Sequence, residues 1–275
     1  MPILHAIVLG ITQGLSEFLP ISSSGHLILV PWLFDWKELT LHPDLNKTFD
    51  VALHVGTFVG AVAYFRTDLA RLVGAGLTSI RARSVATPDQ RLAWLLLLSA
   101  IPGAATGALL ENVIEEHAGA PILIGTMLIV FGLVLLAADR LAQRRDVGEF
   151  GLGDAVWLGL AQAGALQPGV SRSGITISAA RALGFGRDAA ARVSFLMSLP
   201  IIGGAGLYKG LKVATGAGIP AGFGAAFAWG MLASAVTGFA AVWLVLRYVR
   251  TRSFAPFVVY RCLAGVFVIA VAIAR

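Results

Sequence analysis

The sequence contains few charged residues and a single cysteine, and it lacks two common catalytic motifs. Charged residues make up 13% of the chain, against about a quarter of an average soluble domain. Because Cys262 stands alone, it can form neither an internal disulfide nor a thiolate metal site, and redox chemistry is not expected. Zinc-site spacing and the Walker glycine-lysine loop are both absent from the sequence, so zinc catalysis and nucleotide hydrolysis are unsupported.

Hydrophobic sequence fills most of the chain instead. Of the 275 residues, 57% are hydrophobic, and the mean hydropathy is +0.81. Several apolar runs approach or exceed the roughly 20 residues that a helix needs to cross a bilayer. These runs are 92–110, 122–138, 223–246 and 257–274. A water-soluble core does not explain runs of this length, so the sequence predicts a polytopic membrane protein.

The net charge of +6 is distributed in an alternating pattern along the chain. Basic residues cluster in the connections at 66–91, 140–145, 181–192 and 247–252. The connections between these are acidic or mixed, with Asp35, Glu38 and Asp44 in one and Glu111, Glu115 and Glu116 in another. Such alternation is the positive-inside pattern, which places the basic connections in the cytoplasm. The basic surfaces are therefore expected to face membrane lipids, and no nucleic-acid partner is expected.

The two halves of the chain resemble each other. Gln13 aligns with Gln162, and residues 22–25 (SSSG) align with residues 171–174 (SRSG) at the same offset. At a second constant offset, Trp94, Ser99 and Gly103 align with Trp229, Ser234 and Gly238. We interpret this as an internal duplication in a single membrane domain of residues 1–275, with repeats at 1–138 and 150–275. Because the charge pattern puts equivalent segments on opposite sides of the membrane, we expect an inverted-topology repeat.

Each repeat begins with a short apolar stretch that proline, glycine and serine interrupt. Pro20 and Pro168 are expected to end the first helix of each pair, and serine is a good N-cap for the second. Unwound backbone at mid-membrane is tolerated only where it is buried or lines a cavity. We therefore expect an all-α fold with six full spans and two re-entrant helix hairpins whose tips lie near mid-membrane. The alternative is that each broken pair forms two ordinary tilted spans.

Arg172 lies at one of these predicted hairpin tips. Placing an arginine at mid-membrane costs at least about 2.5–3.5 kcal/mol on insertion scales, so a counter-charge or an anionic ligand is expected beside it. A structural ion pair would meet this need. A phosphate clamp would also meet it, because guanidinium offers a planar fork of donors. Ser171, Ser173 and Thr176, with the N–H groups that open the following helix, would then complete a phosphate-binding site.

Glu17 is the only acidic residue between Pro2 and Phe34, and it lies one helical turn after Gln13. The two side chains therefore share a helix face. Glu17 is expected to pair with Arg172, or to act as a general base or a ligand of a divalent cation. These roles are compatible with one another.

A run of hydroxyls and a histidine follows at residues 22–26 (SSSGH). A serine run before a helix is often only a cap. His26, with a carboxylate nearby, adds the parts of an activated nucleophile in which Ser23 attacks, although helical geometry does not require Ser23 and His26 to touch. Asp50 and His54, on one face of the next span, are weaker candidates for the mouth of the same cavity.

Two long motifs match a known family. Residues 13–26 (QGLSEFLPISSSGH) and 168–176 (PGVSRSGIT) resemble the two signatures of the bacterial undecaprenyl-diphosphate phosphatases of the bacitracin-resistance type. The resemblance extends from residue 3 to the end of the chain. Where many members carry a first glutamate, this chain has Gln13, which cannot act as a base. The ionised role would therefore fall on Glu17.

The resemblance implies hydrolysis of undecaprenyl diphosphate to undecaprenyl phosphate, the carrier lipid of cell-wall synthesis. It also implies a divalent cation, Mg2+ or Ca2+, and a place in the bacterial plasma membrane with the active site open to the outer, periplasmic face. Transferred to this chain, the catalytic set is Glu17, Ser23, His26 and Arg172. The phosphate-binding set is Gln13, Ser22, Ser171, Ser173 and Thr176, and Glu17 with Gln13 would hold the cation.

A second hypothesis belongs to another functional class. Broken helices that meet at mid-membrane are typical of alternating-access carriers, so a transporter or flippase for polyprenyl phosphate is the alternative. The sequence does not decide between Ser23, His26 and water as the nucleophile, nor does it decide the preferred cation or prenyl chain length. The oligomeric state is also undecided, and a homodimer stays open.

Overall fold

The computed structural model describes residues 1–36, 43–117, 119–215 and 222–275. These residues form eleven α-helices and one short 3-10 helix at Val147–Glu149. The predicted all-α fold is confirmed for the described residues, in which an isolated bridge between Arg145 and Phe185 is the one strand-like pairing. The α-helices are α1 (Ile3–Phe18), α2 (Ser23–Leu33), α3 (Pro43–Tyr64), α4 (Arg66–Ala82), α5 (Pro88–His117), α6 (Pro121–Asp139), α7 (Leu152–Gly164), α8 (Arg172–Ala182), α9 (Arg187–Thr215), α10 (Gly224–Val249) and α11 (Ala255–Ala274).

Within the described residues, five helices are long and apolar enough to cross a membrane, namely Pro88–Leu110, Pro121–Asp139, Arg187–Tyr208, Gly224–Val249 and Ala255–Ala274. Helices α3 and α4 give a sixth if they are counted together, although they meet at an angle of 86°. The predicted multi-pass membrane protein is thus confirmed. Some acidic residues of the predicted charge pattern lie outside the part of the chain that the structure describes. They are Glu38 and the side chains of Asp44, Glu111, Glu115 and Glu116.

The two proline-containing segments are broken into pairs of short helices, as predicted. Helices α1 and α2 have 16 and 11 residues, and α7 and α8 have 13 and 11, so each is shorter than a full span. Pro20 lies in the first break and Pro168 in the second. Ser22 and Ser171 cap α2 and α8, and the Oγ of each accepts a hydrogen bond from the backbone N–H three residues later. Both serines have a left-handed backbone, with φ of 78° and 73°.

The first helix of each broken pair packs against a long helix of the other half. Helix α1 lies against α10, where a Cβ on Gly14 would come 2.5 Å from the carbonyl oxygen of Ser234. Helix α7 lies against α5, where a Cβ on Gly159 would come 2.8 Å from the carbonyl oxygen of Ser99. Glycine permits both approaches because it has no Cβ. The two halves of the chain are therefore interleaved.

Arg261 on α11 joins the two breaks. Its side chain is fully buried. It donates to the carbonyl of Pro20 in the first break at 3.1 Å, and to those of Gly169 and Val170 in the second at 2.8 and 3.0 Å. It also donates to the carbonyl of Leu128 on α6 at 2.9 Å. Where a helix breaks, its last carbonyls lose their helical partners, so the guanidinium supplies donors that both breaks need.

Candidate active site

The two breaks are in direct contact. The backbone N–H of Gly169 donates to Ser22 Oγ at 3.0 Å, and Ser173 Oγ donates to the carbonyl of Leu19 at 3.1 Å. Each bond links one half of the chain to the other. As a result, the N-termini of α2 and α8 lie side by side, and the positive ends of two helix dipoles share one region.

Glu17 and Arg172 form an ion pair at this junction. Arg172 Nη2 donates to Glu17 Oε1 at 2.6 Å, and the exposed fractions of the two side chains are 17% for the arginine and 5% for the glutamate. Glu17 lies in the last turn of α1 and Arg172 in the first turn of α8, so each half supplies one charge. Arg172 Nη1 is buried and has no hydrogen-bond partner among the described residues. One nitrogen of the guanidinium is therefore left for a ligand.

The second oxygen of the Glu17 carboxylate accepts two hydrogen bonds. Ser23 Oγ donates to Glu17 Oε2 at 2.6 Å, and Gln13 Nε2 donates to the same atom at 2.9 Å. The predicted shared face of Gln13 and Glu17 is thus confirmed. The bond from Ser23 pairs a hydroxyl proton with a carboxylate acceptor, which is the arrangement of a nucleophile and its general base. Gln13 Oε1 is buried and has no partner within the described residues.

A small pocket of about 140 Å³, called the polar pocket below for its charged and hydroxyl side chains, lies at this junction, and its described lining does not include Gln13. Its wall includes Glu17, Ser23 and Arg172, and beside them Ser24 and Ser171 at the N-termini of α2 and α8. A guanidinium, hydroxyls and helix N-termini are the donors that proteins use for phosphate and other anions. The pocket is therefore suited to a phosphoryl group.

His26 makes its hydrogen bonds away from Ser23. Its Nδ1 lies 2.6 Å from the carbonyl oxygen of Ser22, and its Nε2 lies 2.7 Å from Tyr260 Oη. The contact with Ser22 is to the carbonyl one turn back on the same helix, and it turns the ring toward α11. Both ring nitrogens are thus engaged, and a catalytic role of His26 stays a prediction.

His54 approaches the carboxylate instead. Its Nε2 lies 3.8 Å from Glu17 Oε2, and its Nδ1 lies 2.8 Å from the carbonyl oxygen of Asp50. The ring lines the polar pocket. The contact with the Asp50 carbonyl fixes the ring so that its other nitrogen faces Glu17. A residue that the sequence marked as a weaker candidate therefore lies in the site.

The four hydroxyls predicted to bind phosphate all make structural hydrogen bonds, and that of Ser171 caps α8. Ser22 and Ser173 bridge the two breaks. Thr176 Oγ1 bonds with the carbonyl of Arg172 at 2.7 Å and with Ser194 Oγ at 2.6 Å. The described lining of the pocket includes Ser171 but not these three residues. They shape the segments that carry Ser23 and Arg172.

A family model and several relatives cover nearly the whole chain. Residues 6–267 match the family described as bacitracin resistance protein BacA. The chain is 50% identical over 273 residues to the undecaprenyl-diphosphatase of Pelobacter propionicus, covering 98% of this chain and 97% of that protein. It is 50% identical over 277 residues to the protein of the same name from Geobacter sulfurreducens, covering all of both chains. The protein of that name from Thermomicrobium roseum is 44% identical over 285 residues, again over the full length of both.

The chain belongs to the BacA family.

In this BacA-family chain, Gln162 is a pocket residue that the sequence analysis did not assign to the site. Its Nε2 donates to the carbonyl of Ser99 at 3.4 Å, and its Oε1 is buried without a partner in the described part of the chain. Gln162 aligns with Gln13, so the internal repeat was the signal that could have found it. In the same alignment Leu166 stands opposite Glu17 and also lines the pocket. The two halves of the chain therefore contribute unlike residues to one site.

Proposed function

We propose that this chain hydrolyses undecaprenyl diphosphate to undecaprenyl phosphate and inorganic phosphate, and so recycles the lipid carrier of cell-wall synthesis. The observation that carries this proposal is the buried pair of Glu17 and Arg172, with Ser23 on the same carboxylate and one guanidinium nitrogen unused. Such a donor set fits a phosphoryl group. Apolar helices surround the pocket, which suits a substrate that arrives from the lipid phase. The three relatives carry the name of this activity.

The terminal phosphoryl group is bound by the donors that the free protein leaves unused. Arg172 Nη1 donates to a phosphoryl oxygen, while Nη2 keeps Glu17 in place. Ser24 and Ser171 line the same pocket at the N-termini of α2 and α8, and the first N–H groups of these helices add donors for the phosphoryl oxygens. Donors fixed in this way stabilise the charge that gathers on the phosphoryl oxygens in the transition state.

Ser23 is the proposed nucleophile and Glu17 its base. Ser23 Oγ attacks the terminal phosphorus, its proton passes to Glu17, and the bond between that phosphorus and the bridging oxygen breaks, so that undecaprenyl phosphate leaves. Water then attacks the phosphoserine, which releases inorganic phosphate and restores the serine. Direct attack by a water that Glu17 activates is the alternative. A phosphate adduct trapped on Ser23 during turnover supports the covalent route, and full activity of Ser23→Ala excludes it.

We propose a divalent cation, Mg2+ or Ca2+, beside the Glu17 carboxylate. Among the described residues, no group of three or more histidine, cysteine, aspartate or glutamate side chains could hold a metal ion. Mg2+, however, often binds through only one or two carboxylates together with substrate phosphates. The buried Gln13 Oε1, which has no partner in the described residues, lies next to Glu17 and offers a second oxygen. We propose that Glu17 and Gln13 hold the cation, which would neutralise charge on the diphosphate.

The finer architecture follows from the same residues. We propose two inverted repeats, 1–138 and 150–275, with α1–α2 and α7–α8 as re-entrant hairpins and with six spans formed by α3, α5, α6, α9, α10 and α11. The matching left-handed caps at Ser22 and Ser171 support this, as does the reciprocal packing of α1 on α10 and of α7 on α5. In this arrangement the chain lies in the bacterial plasma membrane with the pocket open to the outer face.

Phosphate release by protein purified in detergent tests the function, because transport has no meaning there. We expect the wild type to release phosphate from undecaprenyl diphosphate, and Glu17→Ala and Arg172→Ala to release none. Arg275→Ala, which changes an exposed arginine at the end of the chain, is the matched control. The assay with Mg2+, with Ca2+ and with a chelator tests the cation. An inactive wild type that moves undecaprenyl phosphate across vesicle membranes would support the carrier instead, which the broken helices also fit.

A further inference from the structure

A second cavity, of about 620 Å³, lies beside the polar pocket and is lined by apolar residues and glycine. Helices α3, α4, α5 and α9 form its walls through residues that include Phe58, Leu72, Trp94, Leu97 and Gly204. Its volume falls in the range of roughly 300–1,000 Å³ that small-molecule sites occupy. Some of its lining side chains, such as Leu77 and Leu97, are exposed, so the cavity is an open groove between the helices. A cavity of this size and apolarity is therefore suited to an apolar ligand.

Polar contacts at its edges hold helix α4 over this cavity. Arg192 on α9 donates to Asp68 at 2.7 Å, and Arg71 pairs with Asp89 at the start of α5. Toward the other end of α4, Trp94 Nε1 donates to Ser79 Oγ at 2.8 Å. The helix is thus fixed at both ends, and between these contacts Leu72 packs into the core while the cavity opens beside it.

The apolar cavity and the polar pocket adjoin along three helices. On α3, His54 lines the pocket and Phe58, one turn later, lines the cavity. On α9, Ile201 lines the pocket and its neighbour Pro200 lines the cavity. On α5, Gly103 lines the pocket, and the cavity begins fewer than two turns away along the same helix. A ligand with a phosphate head and an apolar tail matches this order of surfaces.

We propose that the apolar cavity binds the prenyl tail of the diphosphate substrate, so that the head and tail of one lipid occupy the two adjoining spaces. This inference rests on the proposed phosphatase function. A tail that leaves lipid or detergent is already out of water, so the cavity contributes van der Waals contacts along the chain. A long prenyl chain makes more of these contacts than a short one, and the cavity therefore selects long chains. The polar pocket alone recognises the diphosphate, which short and long substrates share.

Two glycines of the lining allow the cavity to be filled without a backbone clash. A Cβ on Gly204 of α9 would meet no atom within 4 Å, and a Cβ on Gly76 of α4 would first meet Ala93 Cβ at 3.9 Å. A leucine at either position therefore extends into open space. Gly74 on α4 and Gly210 on α9 also have open surroundings, but they are not part of the described cavity lining. They provide a matched control on each helix.

The kinetic test compares undecaprenyl diphosphate with the ten-carbon geranyl diphosphate in detergent. We expect Gly76→Leu and Gly204→Leu to lower kcat/KM for the long substrate about tenfold, because each leucine occupies space in which the tail makes its contacts. Neither variant should change kcat/KM for geranyl diphosphate or the thermal midpoint. Gly74→Leu and Gly210→Leu should behave as the wild type. Equal losses on both substrates, losses in the controls, or no loss at all would overturn the proposal.

A binding experiment separates the tail site from catalysis. The probe is a long-chain prenyl diphosphate with a photoreactive diazirine near the end of its tail, added to the full chain. We expect labelled peptides from α4 and from the cavity-facing part of α9, and labelling that unlabelled undecaprenyl diphosphate suppresses. Labelling that excess phosphatidylglycerol suppresses equally would assign the cavity to bilayer lipid, and labelling elsewhere or none would also overturn the proposal. Because binding is measured without turnover, an inactive enzyme would count against the phosphatase function alone.

Discussion

The guanidinium of Arg172 has hydrogen-bond donors that Glu17 does not satisfy. One guanidinium nitrogen is paired with the carboxylate, but the other is buried with no acceptor among the described residues. A buried donor without a partner costs about 1–3 kcal/mol, and a buried ion pair is weak as a source of stability. The free protein therefore carries an unfavourable contribution that a bound anion would remove. Selection for binding explains this pair better than selection for stability.

His54 is the residue whose role the structure changes most. We expect His54→Gln to lower kcat/KM for undecaprenyl diphosphate by at least about tenfold, in line with a group that assists proton transfer, because the ring lies 3.8 Å from Glu17 in the pocket. The thermal midpoint should change little. His5→Gln is the control, since His5 stacks on Trp36 outside the pocket lining. Equal losses in the two variants would contradict a role at the site.

Arg261 should matter for stability and activity together. Arg261→Lys keeps the charge but replaces five fixed N–H donors by three, so carbonyls in both breaks lose a partner. We expect a lower thermal midpoint in detergent and a lower kcat, because the breaks carry Ser23 and Arg172. Arg275→Lys, whose arginine donates to the exposed carbonyls of Trp32 and Leu33, should melt like the wild type. If Arg261→Lys has the thermal midpoint of the wild type, Arg261 does not hold the two breaks together.

Sequence reasoning found Glu17, Ser23 and Arg172 because a charge or a serine run stands out in an apolar stretch. It could not predict which way the imidazole ring of His26 points. That ring has a competing acceptor, the carbonyl one turn back, and its other partner comes from α11, 234 residues away. The role of Arg261 could not be predicted for a similar reason. Its hydrogen-bond acceptors lie on three separate segments that meet only in the folded chain.

At the scale of helices, the breaks were predictable and α4 was not. A proline followed by serine and glycine acts locally, so the ends of α1 and the starts of α2 and α8 follow from the sequence. The segment 66–91 was predicted only as a basic connection. In the structure Arg66–Ala82 is a helix at 86° to α3. The arginines of this segment indicated a basic connection, but the helix also has an apolar face. This face includes Leu72 and lines the larger cavity.

Close helix contact at glycine gives a prediction for α7. Gly159→Ala should lower the thermal midpoint, because its Cβ would come 2.8 Å from the carbonyl oxygen of Ser99 on α5. Gly153→Ala, on the same helix, meets no atom within 4 Å. It should be neutral, or stabilising by about 0.5–1 kcal/mol, because alanine is the better helix former. If the two alanine variants melt alike, the close approach of α7 and α5 is wrong.

At the scale of the whole molecule, two halves of the chain build one site. The first supplies the carboxylate and the serine hydroxyl, and the second supplies the guanidinium. The likeness of the two halves was visible in the sequence, but the interleaving that brings Glu17 to Arg172 depends on packing between distant helices such as α1 and α10. Local patterns of proline, serine and charge contain no information on such contacts. The site could therefore be predicted as a set of residues, but not as a geometry.

The orientation in the membrane can be measured with single cysteines. In a Cys262→Ser background, Asp35→Cys after α2 should react with a membrane-impermeant maleimide in intact spheroplasts, because the positive-inside pattern places this end outside. Ser84→Cys, in the connection between α4 and α5, should react only after lysis. Both positions are exposed in the structure. The opposite pattern of labelling would place the pocket opening on the cytoplasmic face.

The most direct measurement is a double-mutant cycle on Glu17 and Arg172. Glu17→Asp and Arg172→Lys keep both charges but shorten or change the groups that meet at 2.6 Å, and kcat/KM for undecaprenyl diphosphate is measured in detergent for each variant and for the pair. If both groups act on one bound phosphoryl group, the double variant is no less active than the worse single variant, within about threefold. If the two losses multiply, Glu17 and Arg172 act independently, and a single shared pocket is contradicted.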